Sequence, residues 1–102
     1  MILVRQEIGD VLRGYRLQKG QTLRHVASRA SVALGYLSEV ERGQKEASSE
    51  ILASVAEALD VPISTIMREV GDRISVLEGI ETFPDVVPAD LVAEIDAELS
   101  LR

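Results

Sequence analysis

Hydrophobic residues recur at spacings of three and four along most of the chain, which is typical of amphipathic helices. The first stripe predicts a helix that runs to about Lys19 and ends at Gly20, a residue suited to a left-handed helix end. Its members are Val4, Ile8, Val11, Leu12 and Tyr15. No alternation of apolar and polar residues competes with this pattern. We therefore expect an all-α fold.

The central segment predicts two short helices, at about 22–30 and 33–42, joined by a tight turn. Thr22 is placed to cap the first helix, because its hydroxyl can accept a hydrogen bond from an otherwise unpaired backbone N–H. The apolar positions of the first helix are Leu23, Val26, Ala27 and Ala30. Ser31 and Val32 interrupt this period, and a second one buries Leu37 and Val40 and stops at Gly43.

Two further helices follow and complete a bundle of five in about 65 residues. Ser48 or Ser49 can cap the fourth helix, and Pro62 is a good first residue for the fifth, which we expect to end at Gly71. The fourth helix is expected to bury Ile51, Leu52, Val55 and Leu59, and the fifth Ile63, Ile66, Met67 and Val70.

The C-terminal part has a weaker pattern. Residues 72–80 can form a short helix with Ile74, Leu77 and Ile80 inward, residues 82–87 are typical of a linker, and Pro88 opens a last helix. The apolar stripe of that last helix consists of Leu91, Val92, Ile95 and Leu99. This stripe either packs on its own domain or pairs with its copy in a second chain. We favour a homodimer and divide the chain into a domain of residues 1–71 and a C-terminal extension of residues 72–102.

Composition limits the class of protein. The chain has 102 residues, 46% of them apolar, which suffices for one core, and it has no Cys, which excludes disulfides and a thiolate nucleophile. No apolar run approaches the roughly 20 residues that span a bilayer. The apolar run at the start, within MILVRQEIGD, is too short for a signal peptide. We expect a cytoplasmic protein that makes no membrane contact.

The net charge of −6 is unevenly distributed. Residues 13–45 carry seven Lys or Arg against two Glu, a local charge of +5, whereas residues 52–102 carry three Arg against eleven acids, a local charge of −8. Nucleic-acid binding depends on the local field rather than on the sum. The alternative is that these charges only solvate helix faces. The basic section coincides with the two central helices and indicates a nucleic-acid partner.

The residues give no indication of an enzyme. His25 is the only His, it has no Cys near it, and it forms no triad with Ser28 or Ser38 by spacing. There is no glycine-rich phosphate loop. We expect no catalytic residues, no metal and no cofactor.

Three features of the central segment resemble the helix-turn-helix of the phage-repressor-like (Cro/C1, or XRE) family: Thr22, Ala27 and the triplet Glu41-Arg42-Gly43. The match covers residues 8–70. Residues 4–13, together with LGYLSEVERG and the Lys45-Glu46 pair, resemble more narrowly the actinobacterial regulators of Clp protease genes.

This resemblance implies a lambda-repressor-like bundle of five helices that binds double-stranded DNA. It further implies a homodimeric activator of Clp protease and proteostasis genes that binds a palindromic operator and contacts RNA polymerase. The same fold occurs in antitoxins, so a protein-binding module whose C-terminal tail binds a partner protein is the alternative.

The second central helix is the expected reading helix, and its exposed residues are the expected base contacts. These are Ala33, Leu34, Gly35, Tyr36, Ser38 and Glu39. For Tyr36 the alternative is that its ring packs sideways on the bundle. The expected contacts to DNA phosphates are Thr22, Arg24, Arg29, Arg42, Gln44 and Lys45. Glu41 is expected to bond within the protein to an Arg.

The chain departs from the family pattern at three positions. Leu23 replaces a Gln that often binds phosphate, Ser31 replaces the Gly of the turn, and Ala47 replaces a common Pro. The Ser in the turn requires a left-handed conformation to be tolerated there or the turn to be less strained.

Overall fold

The computed structural model of the chain describes residues 1–82, with their side chains as far as residue 79. This part consists of five α-helices: α1 Val4–Gln18, α2 Leu23–Ala30, α3 Leu34–Glu41, α4 Ser49–Leu59 and α5 Ile63–Thr82. The all-α bundle predicted from the sequence is confirmed, and the predicted limits of the two central helices are correct to one residue. None of these helices is long and apolar enough to cross a membrane.

One hydrophobic core joins the five helices. α1 packs against α3 and α5, while α2 packs against α3 and α4. The largest fully buried side chains come from every helix: Leu12, Val26, Leu37, Val40, Val55, Leu59 and Ile66. Helices of eight residues such as α2 and α3 are too short to be stable alone, so this shared core holds them.

Two of the helices begin with the predicted side-chain caps. The Thr22 hydroxyl accepts a hydrogen bond of 3.0 Å from the backbone N–H of His25 at the start of α2. The Ser48 hydroxyl accepts one of 3.2 Å from Ile51 at the start of α4. Of the two candidates for the α4 cap, the structure therefore uses Ser48.

The predicted end of the fifth helix at Gly71 is wrong, because α5 continues without a break to Thr82. A single Gly costs a helix only about 1 kcal/mol. Contacts beyond Gly71 offset this cost. Arg73 donates hydrogen bonds of 3.1 Å to Glu7 and to Asp10 of α1, and Ile74 packs on the core.

Three predicted inward positions are exposed. Val4 is 53% exposed, Ile63 41% and Met67 37%. Val4 and Ile63 are the first residues of their helices, where fewer neighbours cover a side chain, and Met67 lies beside the buried Ile66 at the edge of its stripe. The spacing of apolar residues in a sequence does not show whether a residue at the margin of a hydrophobic stripe is buried or exposed.

The predicted linker at 82–87, apart from Thr82 itself, and the last helix lie outside the described residues. The expected dimerisation residues Leu91, Val92, Ile95 and Leu99 lie there too. The homodimer and the division at residues 71 and 72 therefore stay predictions.

Candidate nucleic-acid interface

The turn between α2 and α3 sets the direction of α3. Ser31 ends α2 in the left-handed conformation, with φ of +56°, and the N–H of Val32 donates to the Ala27 carbonyl over 3.0 Å. Such a conformation costs an L-residue other than Gly about 1–2 kcal/mol. The chain keeps the tight turn of the family with Ser in the glycine position, at the cost of this strain.

α3 presents its N-terminal end to solvent. Ala33 precedes the helix, and Ala33, Leu34 and Gly35 are all exposed, whereas Leu37 and Val40 on the opposite side are fully buried. No side chain caps this end, so its backbone N–H groups face outward. The end of a helix with free N–H groups carries a partial positive charge, which suits the approach of a polyanion.

Three of the expected base contacts are half-buried: Tyr36, Ser38 and Glu39. The Tyr36 ring packs against the core, and its hydroxyl donates to the Glu46 carbonyl over 3.0 Å. This arrangement is the alternative considered for Tyr36. The carboxylate of Glu39 lies 3.2 Å from the ammonium of Lys45. Contact of any of these side chains with a base stays a prediction.

The turn after α3 is a Schellman motif with Gly43 in the left-handed conformation, at φ of +73°. The N–H of Gly43 donates to Val40 over 3.1 Å, and the N–H of Gln44 donates to Glu39 over 2.9 Å. A Cβ on Gly43 would lie 2.9 Å from the Cα of Gln6 in α1, so no side chain fits there. Only Gly adopts this left-handed conformation without strain and also leaves room for the backbone of Gln6.

Glu41 is buried at the end of α3 and bonds to Arg16 of α1. Arg16 donates to its two carboxylate oxygens, over 2.8 Å from Nε and 3.0 Å from Nη2. These hydrogen bonds raise the pKa of the Arg16 guanidinium. The prediction that Glu41 bonds within the protein to an Arg is confirmed. Arg16, one of the cations of the basic section, therefore serves the scaffold.

A glycine that the sequence did not single out lets α1 approach α3 closely. A Cβ on Gly9 would lie 2.6 Å from the carbonyl oxygen of Glu41. α1 therefore contacts the last turn of α3 backbone to backbone. The hydrophobic pattern gave no signal for this, since a buried Gly has no apolar side chain.

The side chains expected to contact phosphates differ in their exposure and in the bonds that they already make within the protein. Arg24 is exposed and has no hydrogen-bond or ion-pair partner among residues 1–82. The Thr22 hydroxyl accepts the cap bond but keeps its own proton to donate. Gln44 is exposed, and Lys45 is paired with Glu39. Arg29 donates to the Ala58 carbonyl at the end of α4 over 3.1 Å, which gives it a structural bond away from α3.

A cleft of about 470 Å³ joins α1, the start of α2 and the end of α3. Arg42 lines it and donates to the Ser38 carbonyl over 3.3 Å, which leaves its terminal nitrogens available. Arg13 of α1 lines the same cleft and is exposed with no partner within residues 1–82. Arg13 carries one of the positive charges of the basic section, and its exposed place makes it an additional candidate for a phosphate contact.

The fold and this surface define a helix-turn-helix protein. Residues 7–66 match the helix-turn-helix domain family, and the chain belongs to that family in its phage-repressor-like (Cro/C1, XRE) form.

Relatives of the chain agree with the narrower resemblance. Over 73 residues the chain is 52% identical to the transcriptional regulator ClgR of Mycobacterium tuberculosis, a match that covers 72% of this chain and 65% of that protein. The chain thus spans just under two thirds of the length of this relative. The crystal structure of the clp gene regulator ClgR from Corynebacterium glutamicum superposes with a TM-score of 0.73 at 37% identity, over 95% of each chain.

The fold also occurs in the restriction-modification controller protein C.Esp1396I. Its structure bound to a DNA duplex of 19 base pairs superposes with a TM-score of 0.67 at 20% identity, over 72% of this chain and 97% of that chain. At this identity the likeness shows the fold alone.

Proposed function

We propose that this chain is a sequence-specific DNA-binding transcriptional regulator without enzymatic activity, acting in the cytoplasm. The observation that supports this most is the exposed start of α3. There the successive residues Ala33, Leu34 and Gly35 all face solvent, while the other end of α3 is fixed to α1. A helix presented in this way fits the major groove of DNA, whose width admits one helix.

The charge around α3 supports the same function. Arg24, Arg42 and Arg13 are exposed near the ends of α2 and α3 and along the cleft beside them. Arg and Lys that neutralise phosphates release counterions, which supplies most of the affinity that does not depend on sequence. In this assignment the cations position the protein and residues 33–39 read the bases.

The likeness to ClgR supports a narrower assignment, to the activation of Clp protease and other proteostasis genes. The protein from Corynebacterium glutamicum carries the name clp gene regulator. An activator contacts RNA polymerase, and Glu57, Asp60 and Glu69 offer exposed acidic side chains for this role.

We further propose that the regulator binds an inverted repeat as a homodimer, with the stripe Leu91, Val92, Ile95 and Leu99 in its interface. Two-fold symmetric helix-turn-helix proteins present their reading helices to half-sites about 34 Å apart. Size-exclusion chromatography of the full chain tests this point. A monomer at all concentrations that still binds a palindrome at one half-site would contradict the homodimer.

The test of the function is selection of bound fragments from random DNA by the purified full chain. We expect an enriched palindrome that the chain binds at least about 1,000-fold more tightly than a shuffled duplex at the same salt concentration. Equal affinity for the two duplexes would exclude sequence-specific regulation. It would leave binding of a partner protein, the antitoxin-like alternative, as the function to examine.

A further inference from the structure

Two of the expected DNA contacts, one for a base and one for a phosphate, bond to each other. The carboxylate of Glu39 lies 3.2 Å from the ammonium of Lys45. The Schellman turn brings this about, because the bond from the N–H of Gln44 to the Glu39 carbonyl folds the chain back beside α3. Both side chains remain partly exposed, at 35% for Glu39 and 58% for Lys45, so either can change its partner.

The ion pair conflicts with the two contacts proposed on DNA. If Lys45 bound a phosphate while it stayed bonded to Glu39, a carboxylate and a phosphate would share one ammonium and repel each other. If Glu39 moved away from Lys45 and met no donor on the DNA, a carboxylate would be left unpaired in a groove largely cleared of water, which is unfavourable. Only DNA with a hydrogen-bond donor opposite Glu39 resolves the conflict.

We propose that Glu39 determines specificity by holding Lys45 away from DNA until a matching base releases it. On the right sequence Glu39 accepts a hydrogen bond from the amino group of a cytosine, which presents this donor in the major groove, and Lys45 moves to a phosphate. On other sequences the ion pair stays closed, and one cation fewer reaches the DNA backbone. This inference rests on the proposed function, because it requires that α3 lie in the groove.

The effect expected from such a pair is small but measurable. An exposed ion pair typically shifts an equilibrium by about 2- to 5-fold. Removal of Glu39 frees Lys45 for any DNA, so binding to unmatched sequences becomes tighter by this factor. On the matched sequence the variant lacks the bond to the cytosine, and Lys45 already binds a phosphate there in the wild type.

A double-mutant cycle on two duplexes tests the proposal. The duplexes are the palindrome selected by the wild-type chain and its shuffled counterpart, at one fixed salt concentration. The proteins are wild type, Glu39→Ala, Lys45→Ala and the double variant. Glu46→Ala is the matched control: it removes the same charge from an exposed side chain beside Lys45, and its own ion pair with Arg5 is long, at 3.9 Å.

We expect Glu39→Ala to bind the shuffled duplex about 2- to 5-fold more tightly than wild type, by more than Glu46→Ala does. In the Lys45→Ala background the gain should shrink to that of the control. The preference for the palindrome over the shuffled duplex should fall by at least the same factor.

Three results would overturn the inference: a gain that is the same with and without Lys45, a gain no larger than that of the control, or an unchanged preference. All three leave the wild-type preference for the palindrome intact. Equal binding of both duplexes by wild type would instead refute the proposed function, and the inference with it. Urea unfolding of each variant confirms that the comparison is between folded proteins.

Discussion

Nε and Nη2 of Arg16 lie 2.8 and 3.0 Å from the two carboxylate oxygens of Glu41, and this forked contact fixes the end of α3 to the last turn of α1. Both side chains are largely buried, with 13% of Arg16 and 6% of Glu41 exposed. The third guanidinium nitrogen donates to the Gln21 carbonyl over 3.0 Å. The orientation of the proposed reading helix is thus set by a buried charge pair as well as by the apolar core.

Arg16→Met should lower the free energy of unfolding by about 3–5 kcal/mol, because it leaves the Glu41 carboxylate buried without a partner. Urea unfolding measures this change. The double variant Arg16→Met with Glu41→Met should recover most of the loss, because apolar side chains of similar size can replace a buried ion pair. A double variant as unstable as the sum of the two single variants would show that the pair is needed for more than charge balance.

Gly9→Ala should destabilise the bundle by about 1–3 kcal/mol, since a Cβ there forces α1 away from the Glu41 carbonyl. Gly14→Ala is the control in the same helix, because nothing lies within 4 Å of its Cβ. It should stabilise the protein by up to about 1 kcal/mol through helix propensity. Thermal unfolding distinguishes the two, and a stabilising Gly9→Ala would refute the close approach of α1 and α3.

Ser31→Gly should stabilise the protein by about 0.5–1 kcal/mol, because Gly adopts the left-handed conformation of this residue without strain. Ser28→Gly, at an exposed position within α2, should instead destabilise by about 0.5 kcal/mol. Chemical denaturation gives both values. If both substitutions destabilised equally, Ser31 would not hold the strained conformation.

Arg42→Ala combined with Lys45→Ala should weaken binding to both kinds of DNA, and to matched DNA more, because on unmatched DNA Lys45 stays paired with Glu39. It should also flatten the dependence of log affinity on log salt by about 1 for each phosphate that is no longer neutralised. Titrations at several salt concentrations measure this slope. Arg68→Ala, which removes an exposed cation of α5, should leave the slope as in wild type. An unchanged slope in the double variant would remove both residues from the footprint.

Periodicity and capping predicted most of the fold because they are local properties of the chain. Thr22 and Ser48 cap the predicted helices, and Leu37 and Val40 are buried where the pattern places them. The pattern failed at Gly71. The helix continues there because the contacts of Arg73 and Ile74 with other parts of the bundle outweigh the free-energy cost of a Gly within a helix. The hydrogen bonds of Arg73 join residues more than 60 positions apart and leave no local signal.

The candidate interface was predicted in outline but not in its bonds. The exposure of Ala33, Leu34 and Gly35 follows from the helix phase, which the sequence provides. The pairing of Glu39 with Lys45 and the bond from Tyr36 to Glu46 depend on the path of the turn at Gly43. The sequence alone does not determine which side chains bond across this turn, because several acidic and basic residues lie near each other along the chain.

The central claim is that the exposed start of α3 reads bases, and Leu34 is the residue with which to test it. Leu34→Gln places an amide that can pair with adenine on an exposed position of the first turn. Selection from random DNA should then give a palindrome that differs from the wild-type one at one position in each half-site, with the other positions unchanged. An identical palindrome from both proteins, at equal affinity, would contradict the claim that α3 enters the groove.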